Sequence, residues 1–134
     1  MYGCSLDNRD SVVRYCSPSR YDREQNKIIP DAFELRINED YLSCYWKEFY
    51  SKNNLKKIYK EAKEKLVIKG NGAFATLKIQ EIKQIGSNNG IGNITVKHLA
   101  VLKSYSGIYN AINNFKFRRD LTLKAKINPI DAII

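Results

Sequence analysis

The spacing of apolar residues predicts where this chain forms strands and where it forms helices. Residues 11–16 suit a short strand, and residues 32–37 alternate with apolar side chains on one face, as a strand does. From residue 42 the spacing changes to that of one helical face, carried by Leu42, Tyr45, Trp46 and Phe49. We therefore predict a strand and then an amphipathic helix within residues 30–50, and we expect their aromatic face to form the centre of the core.

A second helix is predicted over residues 54–66, where the apolar positions recur with the clearest helical period in the chain. Its opposite face is rich in lysine. The remaining predicted elements are strands over 73–79 and 94–102 joined as a hairpin through the glycine-rich residues 86–93, a third helix over 108–115 and a last strand over 121–127.

Together these elements predict an α+β fold, a single compact domain with a mostly antiparallel sheet and about three helices packed on it. A length of 134 residues with 43% apolar residues is enough for one core. The domain is expected to span residues 1–134, with residues 1–10 as a poorly ordered lead-in.

Positive charge is concentrated in the middle and at the end of the chain. The formal net charge is +9, and residues 47–69 contain eight basic residues against three acidic ones. Such a field attracts nucleic-acid phosphates or an acidic partner surface. The excess is mostly lysine in a chain also rich in asparagine and isoleucine, which an AT-rich coding genome would produce without selection for binding.

Several classes of protein are disfavoured by the sequence. Three cysteines without a C-x-x-C pair indicate neither a disulfide framework nor a zinc site, and they favour a cytoplasmic location. A single histidine disfavours a histidine-based metal site, and we expect no cofactor. The glycine-rich residues 86–92 are not followed by the Gly-Lys-Ser/Thr of a phosphate-binding loop. The sequence shows no apolar run of the length that a membrane span requires.

Two basic surfaces are candidates for binding nucleic acid or a protein partner. One is the polar face of the helix predicted over 54–66, and the other is a run in which basic residues interleave with Phe115 and Phe117. A solvated helix surface is the alternative explanation for the first. The candidate binding residues are Lys56, Lys57, Lys60, Lys63, Lys116, Arg118 and Arg119.

Four residues are candidates for catalysis, should the protein be an enzyme. His98 is the only natural general base near neutral pH, and Arg14, Arg36 and Ser43 interrupt the apolar pattern of the first predicted elements. The structural alternatives are a packed histidine and arginines paired with nearby carboxylates. Cys44, close to the start of a predicted helix, is a further candidate nucleophile.

The runs RYCSP, PDAFELR and YLSCYW resemble a pattern found in small uncharacterised bacterial proteins. The resemblance covers residues 14–49. It implies a bacterial cytosolic protein encoded in a mobile-element or defence locus, and it assigns no catalytic residue.

The sequence thus supports two hypotheses of function. The first is a small basic binding module that engages a partner protein, a further copy of itself or nucleic acid. The alternative is a small enzyme acting on a nucleotide or RNA, in which the four candidate residues converge. If the second is correct, the four side chains must lie on one face and within short reach of each other.

Overall fold

A computed structural model describes residues 3–134 and gives a single α+β fold. Six strands form one sheet in the order β6, β7, β4, β1, β5, β8, and two short strands form a separate hairpin. All strand pairings in the described part of the chain are antiparallel. The elements are β1 (Ser11–Cys16), β2 (Tyr21–Asp22), β3 (Lys27–Ile28), β4 (Tyr41–Trp46), α1 (Asn54–Lys63), β5 (Ala73–Lys78), α2 (Ile79–Asn88), β6 (Thr95–His98), β7 (Tyr105–Tyr109), α3 (Phe115–Lys124) and β8 (Lys126–Pro129).

The helix predicted around Trp46 is wrong, because residues 41–46 form the interior strand β4. Leu42 and Cys44 pack on one face of the sheet and Tyr45 on the other, so both faces of the strand are apolar. A strand buried on both faces loses its alternation, and its apolar residues then fall at helical spacing by coincidence. The strand predicted over 32–37 is also wrong, since Pro30–Phe33 is a 3-10 turn.

The hairpin predicted between residues 73–79 and 94–102 is not formed. Strand β5 leads directly into α2, and β6 lies at the far edge of the sheet beside β7. Gly86 belongs to α2 and packs against Ile94, the residue directly before β6. A Cβ on Gly86 would lie 2.5 Å from Cδ1 of Ile94. The glycine therefore serves helix packing and not a flexible loop.

The third helix lies later in the chain than predicted. Residues 105–109 form β7, and α3 begins at Phe115, where the side chain of Asn114 accepts a hydrogen bond of 2.9 Å from the backbone nitrogen of Phe117. The helix runs through Leu121, which was assigned to a strand in the sequence. The predicted α1 is confirmed, although it ends at Lys63.

Helices cover both faces of the sheet, and each face has its own core. Helices α2 and α3 pack on one face around Ile79, Ile82 and Phe117. Helix α1 packs on the other face, where Ile58 and Ala62 contact a cluster that includes sheet residues Val13, Tyr45 and Phe74. We call these the α2/α3 face and the α1 face.

The described residues before β1 run along one edge of the sheet. The backbone nitrogen of Gly3 donates to the carbonyl oxygen of His98 at 2.7 Å, and that of Leu6 donates to Val96 at 2.8 Å. Residues 3–6 thereby cover the outer edge of β6. The expectation for Met1 and Tyr2 lies outside the described residues. No helix among residues 3–134 is long and apolar enough to cross a bilayer.

Candidate functional site

The candidate site begins where β1 and β4 separate. Strand β1 pairs with β5 along its whole length, but it pairs with β4 only at Val12 and Val13. Beyond that point the guanidinium of Arg14 bridges the gap. Its Nε donates to the carbonyl oxygen of Ala32 at 2.6 Å, and its Nη1 donates to the carbonyl oxygen of Ser43 at 2.6 Å and to the Oγ of Ser43 at 3.3 Å. The arginine thus holds β4 and the turn before it against β1.

A cavity of about 320 Å³ lies at this separation, and we call it the arginine cavity. Three arginines and one carboxylate line it, so its formal charge is positive. Among the described residues, no carboxylate lies within ion-pair distance of Arg14, Arg20 or Arg36. The lining residues are Arg14, Tyr15, Ser17, Arg20, Arg36, Glu39, Ser43, Tyr45 and Leu66.

Arg14 is the unusual member of this cavity, because its guanidinium is half-buried and no carboxylate among the described residues lies within ion-pair distance of it. Burial lowers the pKa of Arg14. Arginine nevertheless keeps its proton at neutral pH, so the cation persists. Charges withdrawn from water are ordinarily paired, and here only two carbonyl groups and a hydroxyl accept hydrogen bonds from the cation. The arrangement is therefore suited to an anion from outside the chain.

A row of tyrosines lies beside the arginine cavity on the α1 face. Tyr41 pairs across the sheet with Tyr109, and Tyr45 pairs with Tyr105, so all four side chains share one face. Their rings form a continuous series, with centroids 5.1 Å apart for Tyr41 and Tyr109, 6.5 Å for Tyr41 and Tyr105, and 6.2 Å for Tyr45 and Tyr105. Tyr41, Tyr105 and Tyr109 are half-buried, which leaves part of each ring open to a ligand.

Gly107, between these tyrosine pairs, is what allows Tyr41 to lie flat on the sheet. A Cβ on Gly107 would be 2.5 Å from Cδ2 and 2.9 Å from Cγ of Tyr41. A second cavity, of about 260 Å³, is lined in part by Tyr41, and we call it the tyrosine cavity. It shares Glu39 and Ser43 with the arginine cavity, so the two are neighbours. Its lining residues are Asn38, Glu39, Asp40, Tyr41, Ser43 and Tyr105.

Lysines surround the tyrosine row. The Nζ of Lys97 lies 5.0 Å from the ring centroid of Tyr109, and the Nζ of Lys65 lies 4.9 Å from that of Tyr105. The predicted binding residues of α1 are all exposed, and among the described residues none has a carboxylate partner: Lys56, Lys57, Lys60 and Lys63. Helix α1 packs on the same face as the tyrosines, so these charges add to one positive surface.

The second predicted basic surface is largely neutralised by the protein's own carboxylates. Lys116 lies 3.3 Å from Asp120, which also contacts Arg119, and Arg118 contacts Asp31 and Glu34 at 3.3 and 3.7 Å. Hydrogen bonds to Asn89 and Lys116 hold the pKa of the Asp120 carboxyl below its usual value, so this carboxylate is charged and pairs with the cations. Arg118 therefore secures α3 to residues 31–34, whereas the two pairs with Asp120 lie within α3 itself.

The structure brings three of the four candidate catalytic residues together and leaves out the fourth. Arg14, Arg36 and Ser43 line the arginine cavity, whereas His98 does not. His98 is aligned with Ser106, which is aligned with Cys44, so the histidine projects to the α2/α3 face and Ser43 to the opposite one. The convergence that the enzymatic alternative requires is not formed.

His98 instead has the surroundings of a structural residue. Its ring is 5.2 Å from that of Trp46 and 5.3 Å from that of Phe49, and its side chain is 3% exposed. One ring nitrogen, Nε2, lies 2.6 Å from the carbonyl oxygen of Lys103. The histidine thus ties the turn after β6 to the core.

The candidate nucleophile Cys44 is not at a helix start but inside β4, where it is fully buried. Burial raises the pKa of its thiol to about 12, and the same cause raises the pKa of Cys16 to about 12. Both thiols are therefore protonated at neutral pH. Among residues 3–134 no group of three or more His, Cys, Asp or Glu residues is placed to hold a metal ion.

Sequence reasoning missed Arg20 and the tyrosine row. Arg20 lies in a polar stretch that reads as a loop, and nothing local indicates that it turns back to β4. The tyrosines come from β4 and β7, and both segments were interpreted as helices. Had residues 105–109 been recognised as a strand, the tyrosines at alternate positions of YSGIY would have predicted an aromatic face.

No family model, curated protein or solved structure matches this chain. The resemblance carried by the runs in residues 14–49 therefore stays a prediction. The site is interpreted from its own geometry and charge.

Proposed function

We propose that this protein is a binding module for single-stranded nucleic acid, with a phosphate held in the arginine cavity and bases stacked on the tyrosine row. The observation that carries the proposal is Arg14, a half-buried cation that has no carboxylate within ion-pair distance among the described residues and lines a cavity with Arg20 and Arg36. Arginine side chains match phosphate geometry through several parallel donors.

The surroundings of the arginine cavity favour a nucleic acid over an acidic protein. Rings exposed on a sheet stack with bases of any identity, and cations beside them track the backbone. Both features are present on the α1 face, in the tyrosine row and in Lys65, Lys97 and the lysines of α1. An acidic peptide would use the cations but would leave the rings without matching partners.

A cytoplasmic location belongs to the same proposal. The thiols of Cys16 and Cys44 are free and lie in the core, and Cys4 is also unpaired. Free thiols of this kind are typical of a reducing compartment. Nucleic acid with accessible single strands is abundant there.

Fluorescence anisotropy with a labelled single strand of ~12 nucleotides tests the proposal, a length within the usual site size of such modules. We expect log K to fall with log salt at a slope of about −2, as for three neutralised phosphates. The double variant Arg20→Ala/Arg36→Ala should bind at least about tenfold more weakly, through the loss of two charge-assisted contacts.

The matched control is Arg9→Ala/Arg119→Ala, which also removes two positive charges. Both arginines are exposed, and each lies beside an aspartate outside the site. We expect an affinity close to that of the wild type. Equal weakening by the two double variants would mean that net charge alone drives binding, and no binding by the wild type at low salt would refute the proposal.

A further inference from the structure

We infer that the two adjoining cavities take the terminal nucleotide of a strand whose end carries a phosphomonoester, with that phosphate in the arginine cavity and its base in the tyrosine cavity. This rests on the proposed function and adds a specificity to it. The cavities adjoin through Ser43 and Glu39, as a sugar joins a phosphate to a base.

The charge of the arginine cavity matches a terminal phosphate better than an internal one. Three guanidinium groups and the single carboxylate of Glu39 line it. A phosphomonoester carries about −1.5 to −2 charges at pH 7, whereas a phosphodiester within the chain carries one. Two net positive charges are therefore balanced by the end group and only half balanced by an internal phosphate.

The donors of this cavity are free to bind. The side chains of Arg20 and Arg36 make no hydrogen bond or ion pair among the described residues, and Arg14 uses only its Nε and Nη1. The Nη2 of Arg14 thus adds to the two open guanidinium groups. A phosphate with three peripheral oxygens offers acceptors to all three arginines, while a diester offers two.

The tyrosine cavity contains groups suited to a base. Tyr41 and Tyr105 supply ring faces, and their hydroxyl oxygens are 3.4 Å apart. Glu39 and Asp40 line the same cavity and are acceptors only. Carboxylates accept hydrogen bonds from the amino groups of bases. We therefore assign the carboxylates of this otherwise positive site to base recognition.

The test compares one oligonucleotide sequence in three forms, with both ends unphosphorylated, with a 5′-phosphate and with a 3′-phosphate. One of the phosphorylated forms should bind the wild-type protein about tenfold more tightly, which corresponds to one added charge-assisted contact. In Arg20→Ala/Arg36→Ala the affinity ratio of that form to the unphosphorylated form should fall to about one, measured at a salt concentration where the variant binds.

The outcomes separate this inference from the function on which it rests. Wild-type binding with equal affinity for all three forms overturns the inference and leaves the proposed function standing. A phosphate preference that survives in Arg20→Ala/Arg36→Ala also overturns it, because the end group then binds elsewhere. Absence of binding to every form overturns both.

Discussion

Arg14 shows how one residue determines both the shape and the charge of the site. Its side chain joins β1, β4 and the turn at Ala32 through two short hydrogen bonds to carbonyl oxygens. The same guanidinium brings a positive charge to the wall of the arginine cavity. The guanidinium of Arg14 thus has a structural and a binding role. We expect substitutions of Arg14 to lower both the stability of the fold and the affinity of the site.

Replacing Arg14 by alanine should destabilise the fold by about 2–4 kcal/mol, because two carbonyl groups lose charged donors in a largely buried place. Urea unfolding followed by circular dichroism measures the change. The control is Arg20→Ala, which removes from the same cavity an arginine side chain that makes no hydrogen bond or ion pair among the described residues. Its stability should stay within about 0.5 kcal/mol of the wild type. If Arg14→Ala unfolds at the wild-type urea concentration, the bridging role is wrong.

The cysteines give a second prediction at the residue scale. Cys16 and Cys44 are buried with raised pKa values, whereas Cys4 is partly exposed. A thiol reagent such as Ellman's reagent should therefore label one cysteine per native chain and all three in denaturant. Rapid labelling of more than one thiol in the native protein would contradict the placement of β1 and β4.

At the scale of elements, the close contact between β7 and β4 depends on Gly107. A side chain at this position would meet Tyr41 and the Cδ1 of Leu99, the latter at 3.0 Å. We expect Gly107→Ala to cost about 1–3 kcal/mol, as overpacking does, and to weaken oligonucleotide binding by displacing the Tyr41 ring.

Gly92→Ala is the matched control for this substitution. Nothing lies within 4 Å of a Cβ at Gly92, and its backbone is not in the left-handed region. Its stability and affinity should match the wild type in the same unfolding and anisotropy measurements. A Gly107→Ala protein that is equally stable and binds equally well would show that Tyr41 does not depend on this contact.

Glu61 links α1 to the loop before β7, and its removal tests that connection. Its Oε1 accepts hydrogen bonds from the backbone nitrogen and hydroxyl of Ser104 and from the hydroxyl of Tyr50, at 2.9, 2.9 and 2.6 Å. We expect Glu61→Ala to destabilise the protein by about 2–4 kcal/mol, since these buried donors lose a charged acceptor. Glu64→Ala, an exposed carboxylate directly after the end of the same helix, is the control and should change stability by less than about 1 kcal/mol in urea unfolding. Similar losses in the two variants would contradict the role of Glu61.

The fold class was predictable from the sequence, but the order of its elements was not. Helix α1 is apolar on a regular helical period and was identified. Strand β1 was also identified, although it lies inside the sheet and buries Val12 and Val13 on opposite faces. Strand β4 lies inside the sheet with both faces covered, so the spacing of its apolar residues does not distinguish a strand from a helix. Strand β6 does not pair with β5 but lies at the far edge of the sheet beside β7. Which edge a strand joins is decided by the other strands of the assembled sheet, so the sequence of residues 73–102 alone does not show it.

The same distinction applies to the candidate site. Arg14 and Ser43 were identified because a polar residue inside an apolar segment requires a partner or a role, and Arg36 was found in the same way. His98 satisfied the same criterion, yet it lies near the edge of the sheet on β6, outside the cavity, and projects to the face opposite Ser43. Which face a side chain occupies depends on strand register, and register is set by long-range pairing. The tyrosine row likewise exists only once β4 and β7 are paired.

At the scale of the whole molecule, the buried tyrosine and thiols link stability to alkaline pH. Burial raises the pKa of Tyr45 to about 12 from an ordinary value of 10.0. The unfolded chain loses this proton first, so the stabilising contribution is complete below pH 10 and disappears as the pH rises through 12. Cys16 and Cys44 act in the same direction from pH 9 upward.

The variant Tyr45→Phe isolates the contribution of Tyr45 to this dependence. Between pH 9.5 and 12 the wild type should lose ~2 kcal/mol more of its unfolding free energy than the variant. Between pH 6 and 9 the difference between the two proteins should be constant, which serves as the internal control. Parallel curves throughout, measured by urea unfolding at each pH, would mean that Tyr45 is not buried as described.

The location of the binding surface is the central claim, and nuclear magnetic resonance tests it most directly. The measurement is a titration of the ¹⁵N-labelled protein with a 5′-phosphorylated single strand and, separately, a 3′-phosphorylated one, following each backbone amide. We predict that the largest shift changes fall in residues 14–20, 34–45 and 105–109, around the arginine cavity and the tyrosine row. Largest changes in α3, or no changes at saturating oligonucleotide, would contradict the account.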